Sequence, residues 1–581
     1  MPESGKVPCT LFFEPIVSNV DKLNLFGKGN CAESNFYGIH LTPVKKIKKV
    51  NFRKGEIDPR TMTAEYYQNL PANKEPWTMG LHKDMDFEDR PTMIRGHLEH
   101  YIPEMGKTSI NLILDENITG QSKNLYTKIG KDGTFEFSFP LSYAHRAYCD
   151  LNTPIYIEPG DTLDVYLDME TTPDGKPRHL ACRSNGESAM INLLWKSLEK
   201  KLGISFYSDY EKKEASIIAG GPDSVMVYSG ELMERLRHAC DKDYMDKIFG
   251  DTPLSSHGKD VIAASTRANI MIQMEELYNG YIEEKYSTGN IIIRENPTFV
   301  SDAQKFYAGL KSVADLLFDC PLMLTTDWAF FSQMQSAPFF IDYLNATSAE
   351  KVMSYDAFNQ KHYGFGRCFM SQVMMARKLA TLMQELQKRA DPDVDRFGNK
   401  SPMNLNLRNI TNQLAEVLTT ITYPEISRRL MAVYRETIRK TEGSTKNEDA
   451  LSPAHRALLD KIIKPYCGNV LYVDFWNMGC GPCRQGMLQQ CDMVKDLKEQ
   501  PIRFLYVCDE EYSSRTNAEK WMGENQIHGE HIYISHDEWL LFQQMFNFTS
   551  IPHAVLIDQE GNVLQDNLYL INNEQLTKYI K

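Results

Sequence analysis

Residues 473–483 read VDFWNMGCGPC and hold the only Cys-x-x-Cys sequence among the twelve cysteines of this 581-residue chain. The apolar run 470–475 predicts a buried strand, and 484–498 predicts a helix. Cys480 and Cys483 therefore lie where a strand gives way to a helix. The unpaired N–H groups at the start of a helix stabilise a thiolate, and one helical turn brings the second sulfur within bonding reach.

This cysteine pair has two chemical interpretations. Disulfide exchange needs an exposed, stabilised thiolate and a second thiol that resolves the mixed disulfide. Pro482 suits the first turn of the helix, where its missing N–H costs nothing. A Cys-x-x-Cys can instead be half of a zinc site, which requires two further Cys or His ligands, but the next cysteines, Cys491 and Cys508, are single. The redox interpretation is favoured, and neither a metal site nor a cofactor other than the cysteine pair is predicted.

The region from about residue 452 to residue 581 alternates apolar, strand-like runs with helix-like runs. Strands alternating with helices predict a doubly wound α/β sheet. The predicted strands are 470–475, 502–507, 531–534 and 554–557, and the predicted helices are 484–498, 517–524, 538–546 and 574–580.

The residues that precede this region divide into four parts. Residues 1–93 contain only short, weakly defined strand-like runs and are predicted to be rich in β-structure. Residues 94–184 predict a β-sandwich with turns at Asp132-Gly133 and Pro159-Gly160. Residues 185–441 show helical periodicity. The stretch TEGSTKNED at 441–449 lacks apolar residues, so a linker is predicted at 442–451. The predicted sandwich strands are 108–114, 125–129, 134–139, 155–157 and 162–167, and the predicted helices of the middle region are 302–318, 367–389, 405–418 and 425–440.

The composition is that of a folded, acidic protein. With a formal net charge of -13 and a pI of about 5.6, the chain has no basic field for nucleic acid or an anionic membrane. No run reaches the 18 or more apolar residues of a membrane span. The short apolar patch at 11–13 is too small for the core of a signal peptide, so the chain is either cytosolic or lacks its export signal in this sequence.

Two segments together resemble the thioredoxin superfamily. Residues 473–483 are similar to the active-site segment of thioredoxins, and Ser550-Ile551-Pro552-His553 resembles their cis-proline loop. The residues between Asp509 and Pro552 are more numerous than in a minimal thioredoxin and resemble the insertion of TlpA-like thiol-disulfide oxidoreductases. The β block at 94–184 is similar to the amino-terminal domains of large TlpA-like envelope proteins of Bacteroidetes. The fold class expected is multidomain, with a β-sandwich region, a mainly α-helical middle and a carboxy-terminal α/β thioredoxin fold at 452–581 carrying a TlpA-like insertion.

The resemblance implies a role for each residue of the catalytic group. Cys480 would be the attacking nucleophile and Cys483 the resolving thiol. Asp474, a carboxylate in an otherwise apolar strand, would be buried with a raised pKa and could relay the proton of Cys483. A plain strand-end hydrogen-bond acceptor is the alternative for Asp474.

The same resemblance implies the residues that bind substrate. Pro552 would follow a cis peptide bond and present the backbone of Ile551 to an extended substrate. Gly481 and Pro482, between the cysteines, would lie at the contact surface, and their identity favours a reductant over an oxidant. Trp476 would pack beside the site, with ordinary core packing as an equal alternative.

Four residues depart from the family pattern. Gly479 stands where thioredoxins usually have Trp, and Leu505 lies about where many place a Lys partner for the buried Asp. Leu488 replaces a helix-kinking proline, and Gly486 replaces a Glu of many TlpA-like reductases. These departures bear on rate, redox poise and choice of partner, and they leave the sulfur chemistry intact.

Three functions are weighed. The first is a thiol-disulfide oxidoreductase that reduces or isomerises protein disulfides, with an upstream thiol electron donor as second partner and the cell envelope, in the periplasm, as location; the cytoplasm is the alternative. The second is an envelope ligand- or protein-binding protein with an accessory redox domain. The third, a peroxiredoxin-like peroxidase, is discounted because Asn477 stands where its peroxidatic loop needs Thr or Ser.

Overall fold

A computed structural model describes most of the chain. The described residues are 22–25, 36–40, 58–101, 108–149, 153–168, 178–201, 207–286, 297–346, 348–388, 405–441, 453–546, 548–568 and 576–577. The predicted linker at 442–451, most of 1–57 and most of the predicted closing helix at 574–580 lie outside these residues.

The amino-terminal part of the described chain is rich in β-structure. Its elements are β1 Lys22–Leu25, β2 Phe36–His40, α1 Ala64–Gln68, β3 Arg90–Glu99, β4 Ser109–Glu116, β5 Gln121–Lys128, β6 Thr134–Leu141, β7 His145–Cys149, β8 Thr153–Ile157, β9 Thr162–Asp168 and β10 Arg178–Ser184. Two four-stranded sheets result, in the orders β10-β9-β3-β6 and β5-β4-β7-β8, while β1 pairs with β2. Every second side chain of β6 is buried, which is the alternation of a half-buried strand. The apolar faces of both larger sheets contribute to one core, as a sandwich requires.

The two predicted turns are present, but neither of them joins two paired strands into a hairpin. Asp132-Gly133 joins β5 to β6 and Pro159-Gly160 joins β8 to β9, and in each case the two strands belong to different sheets. Gly133 and Gly160 both have a φ of +82°, which explains the glycine. The turn chemistry was therefore predicted correctly, but these turns carry the chain from one sheet to the other. Gly96 on β3 has a packing reason instead, because a Cβ there would overlap the ring of Phe135.

The middle of the chain is helical, as predicted. Its helices are α2 Ser188–Lys201, α3 Tyr207–Ala219, α4 Pro222–Cys240, α5 Lys242–Phe249, α6 Ser256–Tyr286, α7 Pro297–Phe306, α8 Ala314–Phe318, α9 Trp328–Met334, α10 Ile341–Asn345, α11 Ala349–His362, α12 Phe369–Lys388, α13 Leu407–Thr420 and α14 Pro424–Thr441. The single helix predicted at 302–318 is wrong: Gly309, with a φ of +101°, separates α7 from α8. The buried apolar side chains of these helices and of the sandwich form one continuous core.

The carboxy-terminal part is a five-stranded sheet with helices. Its elements are α15 Pro453–Ile463, β11 Val470–Trp476, α16 Gly481–Asp496, β12 Ile502–Asp509, α17 Arg515–Glu524, β13 Glu530–Ile534, α18 His536–Phe546, β14 His553–Ile557 and β15 Val563–Leu568. The order is β13-β12-β11-β14-β15, with β11, β12 and β13 parallel and β14 antiparallel to both neighbours. The sheet is therefore mixed. Its edge strand β15 was missed by the prediction, since its sequence, VLQDNL, has little apolar alternation.

Helices cover both faces of this sheet, as the double winding predicted. One apolar cluster joins the sheet to α16 and α17 and contains Cys480 and Cys483. The other joins the opposite face to α15 and α18 through residues such as Leu459 and Phe542. Alternate residues of β11 thus enter different cores, and the cysteine pair lies on the side of α16.

The sandwich contacts helix α18 and the segment after it through polar groups. The N–H of Thr108 donates to an Asp537 carboxylate oxygen over 3.1 Å, the Ser109 hydroxyl donates to the other oxygen over 2.8 Å, and the Thr108 hydroxyl also bonds this carboxylate. The side-chain amide of Asn124 donates to the carbonyl of Phe548 over 3.5 Å. Phe548 lies four residues before Pro552, so the sandwich supports the segment that leads into the proline loop.

No helix among the described residues combines the length and the apolar character needed to cross a membrane.

Candidate active site

The two cysteines lie at the carboxyl end of the central strand β11. Every side chain of this strand is buried, and β12 and β14 flank it. The chain leaves the sheet after Trp476, and α16 begins at Gly481 with Cys480 as its N-cap residue. The strand-to-helix junction predicted from the sequence is present, and it places the Cys480 sulfur at the positive end of the helix dipole.

Cys480 and Cys483 are joined by a disulfide bond, with their Cα atoms 5.3 Å apart. The N–H of Cys483 donates to the Cys480 sulfur over 3.1 Å, so an N–H group of the first turn already points at that sulfur. The Cys480 residue is 8% exposed and Cys483 is 1% exposed. This difference favours Cys480 as the attacking thiol and Cys483 as the resolving thiol.

The loop before Cys480 is held by a residue distant in sequence. The N–H of Met478 donates to the hydroxyl of Ser513 over 2.7 Å, and the N–H of Cys480 donates to the carbonyl of Asn477 over 3.1 Å. Ser513 is buried, and its own N–H donates to the carbonyl of Asp509 over 3.1 Å. Ser513 thus fixes the backbone of the active-site loop, and no local pattern in the sequence indicated it.

Asp474 lies on the face of β11 that turns toward the cysteine pair. Its neighbours two residues away, Tyr472 and Trp476, belong to the apolar cluster that contains both cysteines. Asp474 is only 6% exposed, and burial raises the pKa of its carboxyl group to about 8. A carboxyl group with such a pKa can exchange a proton near neutral pH, as the predicted relay requires.

The residue beside Asp474 on β12 is Tyr506. In the parallel ladder Asp474 is level with Tyr506, whereas Leu505 is level with Val473 and enters the opposite core. The expectation that Leu505 replaces a lysine partner of Asp474 is therefore wrong, because a shift of one residue along a strand moves a side chain to the other face.

Asp474 has polar neighbours that the sequence analysis missed. The side-chain amide of Gln490 donates to the Tyr472 hydroxyl over 3.3 Å. The Tyr506 hydroxyl is buried and has no hydrogen-bond partner among the described residues. Burial, together with the nearby charge of Asp474, raises the pKa of both tyrosines, so both remain neutral. The spacing in the sequence contained a signal for these neighbours. Tyr472 is two residues before Asp474 and so shares its face of the strand, and Gln490 is two helical turns after Cys483 and so shares its face of the helix.

The proline loop packs against the core that contains the cysteine pair. The Ile551–Pro552 peptide bond is cis, as expected. The Ile551 side chain packs against the apolar cluster that contains both cysteines. His553, which follows Pro552, is buried. Its Nε2 atom is 2.8 Å from a carboxylate oxygen of Asp566, and its ring stacks on that of Phe548. The structure packs Ile551 against the core that contains the disulfide, while the role of the loop in substrate binding stays a prediction.

The remaining predicted contact residues divide into buried and exposed ones. Trp476 is 1% exposed, and its ring centre is 5.8 Å from that of Trp521. Trp476 is therefore a core residue, and it belongs to the apolar cluster that contains both cysteines. A contact between Trp476 and substrate stays a prediction. Gly481 and Pro482 are exposed in the first turn of α16, where a bound substrate can reach them.

His531 and His536 are five residues apart, a spacing that zinc sites can use. The Nδ1 atom of His536 is instead 2.8 Å from a carboxylate oxygen of the buried Asp509. Within the described ranges, no group of three or more His, Cys, Asp or Glu side chains is arranged to hold a metal ion.

Comparison with known protein families gives a match over the part of the chain that contains the site. Residues 468–563 match the model of a thioredoxin-like family, Thioredoxin_8. These residues form a thioredoxin-like domain. The match spans β11, the cysteine pair and the cis-proline loop, so the thioredoxin-like domain contains all the residues to which a catalytic role was assigned.

Several solved structures are similar to part of the chain. The thioredoxin domain of a thiol-disulfide oxidoreductase from Bacteroides vulgatus is 18% identical, with a TM-score of 0.18, 20% of this chain and 84% of that chain covered. A thioredoxin-family thiol:disulfide interchange protein from Chlorobium tepidum is 17% identical, with a TM-score of 0.19 and coverages of 20% and 85%. StoA from Bacillus subtilis is 16% identical, with a TM-score of 0.18 and coverages of 20% and 87%. No curated protein matches the chain.

Proposed function

We propose that this chain is a thiol-disulfide oxidoreductase that reduces or isomerises protein disulfides through Cys480 and Cys483. The observation that carries the proposal is the cysteine pair at the start of α16, in which the residue Cys480 is 8% exposed and Cys483 is 1% exposed. A thiolate stabilised at a helix start attacks a substrate sulfur, and a second thiol within bonding reach releases the product.

The proposed reaction transfers two electrons to the substrate. The Cys480 thiolate attacks one sulfur of the substrate disulfide, which breaks the substrate S–S bond and forms a mixed disulfide. The Cys483 thiol gives up its proton and attacks the Cys480 sulfur, which releases the second substrate thiol and forms the Cys480–Cys483 disulfide. A thiol electron donor then returns the pair to its reduced form. In isomerisation, the substrate's own thiol displaces Cys480 instead.

Asp474 is the proposed acceptor of the Cys483 proton. It lies on the cysteine side of β11, is buried, and has a pKa raised to about 8. A base is most useful when its pKa is near the working pH, because it must both accept and return the proton. Ile551 and Pro552, with Gly481 and Pro482, form the proposed substrate-docking edge beside the disulfide.

A covalent trap tests the reduction step. In a Cys483→Ala variant the mixed disulfide on Cys480 cannot be resolved, so we expect substrate proteins to accumulate in covalent complexes. Lysates of the producing organism are treated with the pre-reduced variant, and captured proteins are identified by mass spectrometry after non-reducing electrophoresis.

The matched control for the trap is the Cys480→Ala, Cys483→Ala double variant. Proteins captured by the trap and absent from the control support the proposed oxidoreductase. Equal capture by both variants contradicts it and favours the alternative, a ligand- or protein-binding protein with an accessory redox domain.

We also propose the cell envelope, in the periplasm, as the place where the protein works. The support is the resemblance of the sandwich at 94–184 to the amino-terminal domains of exported TlpA-like proteins. In an oxidising compartment the cysteine pair would need continual reduction by a thiol donor. Fractionation of the native producer, with an antibody against the helical region, is expected to recover the protein in the envelope fraction. Recovery in the cytosolic fraction would contradict the assignment and leave a cytoplasmic reductase.

A further inference from the structure

The loop between β12 and α17 exposes a large aromatic side chain. Tyr512 is 57% exposed, although most large apolar side chains of the described chain are covered. In the described part of the thioredoxin-like domain, the other exposed large apolar residue is Leu488, which is 41% exposed. An aromatic ring held at the surface is a frequent anchor for a binding partner, since it buries a large area at low entropic cost.

Tyr512 stands directly next to the contact that holds the active-site loop. Its neighbour Ser513 accepts the hydrogen bond from the N–H of Met478, 2.7 Å long, and Met478 is two residues before Cys480. The Tyr512 backbone is therefore close to the loop that presents the attacking sulfur.

The exposed ring has a defined orientation. The ring of His536 meets it edge to face, with centres 5.4 Å apart and planes at 74°. His536 is itself fixed, because its Nδ1 atom is 2.8 Å from a carboxylate oxygen of Asp509, which is completely buried. An aromatic residue that is positioned in advance loses little freedom when a partner covers it.

The surface in front of Cys480 has room for such a partner. Gly479 has no side chain, and a Cβ built there would meet only the side-chain oxygen of Asn477, at 3.3 Å. An aromatic wall at position 479, expected from the family pattern, is absent, and the neighbour of Tyr512, Ser513, is bonded to the same loop.

We infer that Tyr512 is a specificity-determining residue that contacts a polypeptide substrate beside its disulfide and selects an apolar or aromatic residue at that position. The inference rests on the proposed function, because it names the class of substrate for the same cysteine pair. Tyr512 takes no part in the sulfur chemistry, so its loss should weaken substrate docking and leave the exchange step unchanged.

A pair of synthetic peptides tests the inference. Each is closed by one internal disulfide, and the two differ only in having Phe or Ser beside one cysteine. Pre-reduced full-length protein is mixed with excess peptide; each event oxidises Cys480 and Cys483 to the disulfide and converts the peptide disulfide to two thiols. Quenched-flow thiol labelling at several peptide concentrations gives the apparent dissociation constant and the maximal rate.

We expect the wild-type protein to prefer the Phe peptide. Tyr512→Ala should weaken apparent binding of the Phe peptide about tenfold, with the maximal rate unchanged, since an aromatic anchor typically contributes that much. Tyr512→Phe should restore the preference because the ring is kept. Trp328→Ala, which removes another exposed aromatic outside the thioredoxin-like domain, is the matched control and should behave as wild type.

Three results would overturn the inference. If Tyr512→Ala slows both peptides and hydroxyethyl disulfide equally, the residue supports the shape of the site and does not select substrates. If the wild-type protein reduces both peptides equally and Tyr512→Ala changes neither, the inference fails while the proposed function stands. A wild-type protein that reduces hydroxyethyl disulfide but neither peptide overturns the inference together with the proposed action on polypeptides.

Discussion

Replacement of Cys480 by serine is expected to lower the rate of disulfide exchange by on the order of 10³-fold or more. A serine hydroxyl is not ionised at neutral pH and cannot form the mixed disulfide. The fold should survive, because Cys480 is the N-cap residue of α16 and its sulfur accepts the N–H of Cys483. Serine is among the preferred N-cap residues and its hydroxyl can accept the same hydrogen bond.

The measurement is the single-turnover reduction of hydroxyethyl disulfide by pre-reduced protein. Cys467→Ser provides the control, since Cys467 is an exposed cysteine of the same region that lies outside the proposed site. The control should retain the wild-type rate. A Cys480→Ser variant with more than about a tenth of the wild-type rate would mean that another thiol carries the reaction, against the role proposed from the geometry.

The cysteine pair could be located from the sequence because its signal is contiguous. The apolar strand, the two cysteines and the helix-starting Pro482 follow one another within residues 470–483. Each part has its own local physical reason, namely burial of the strand, helix-dipole stabilisation of a thiolate and tolerance of proline in the first turn. The structure places Cys480 at that junction.

The neighbours of Asp474 could not be predicted in the same way. They depend on how β11 and β12 are aligned, and strand register is set by packing over the whole sheet. The resemblance to thioredoxins placed Leu505 beside Asp474, but in the parallel pairing of β11 with β12 the residue beside Asp474 is Tyr506. Ser513 is a similar case, since its hydrogen bond to Met478 joins residues 35 positions apart.

The sandwich shows a different limit on what the sequence can predict, namely which strands pair with one another. The residues Asp132-Gly133 indicate a turn whatever strands it joins, because glycine adopts a positive φ easily. They do not tell which sheet receives the next strand, and here β5 and β6 lie in different sheets. The contact of Thr108 and Ser109 with Asp537 was equally hidden, because a polar interface between distant segments leaves no hydrophobic periodicity.

The second large effect concerns stability: Asp474→Asn should stabilise the thioredoxin-like domain by on the order of 5 to 6 kcal/mol above pH 8. Burial raises the pKa of the Asp474 carboxyl group from 3.8 to about 8, so its ionised form is much less favourable in the folded domain than in the unfolded chain. Asparagine has nearly the same shape and carries no charge, and it therefore avoids this cost.

The sign of the pH dependence follows from the raised pKa. Below about pH 4 the carboxyl group is protonated in both states, and the variant and the wild type should be equally stable. Between about pH 4 and pH 8 only the unfolded chain ionises, so the wild type loses stability by about 1.4 kcal/mol per pH unit relative to the variant. Above the folded pKa of about 8 both states are ionised and the difference becomes constant.

Urea titration with pulse proteolysis can measure this difference in the full-length protein, with peptides of the thioredoxin-like domain followed by mass spectrometry between pH 4 and pH 9. Asp492→Asn, at an exposed position on α16, should show no comparable pH-dependent gain. The variant should also resolve mixed disulfides more slowly, because asparagine cannot take up the Cys483 proton. A difference in stability that does not change with pH would mean that the carboxylate is solvated in the folded domain. In that case Asp474 would lack the raised pKa on which its proposed role as proton acceptor depends.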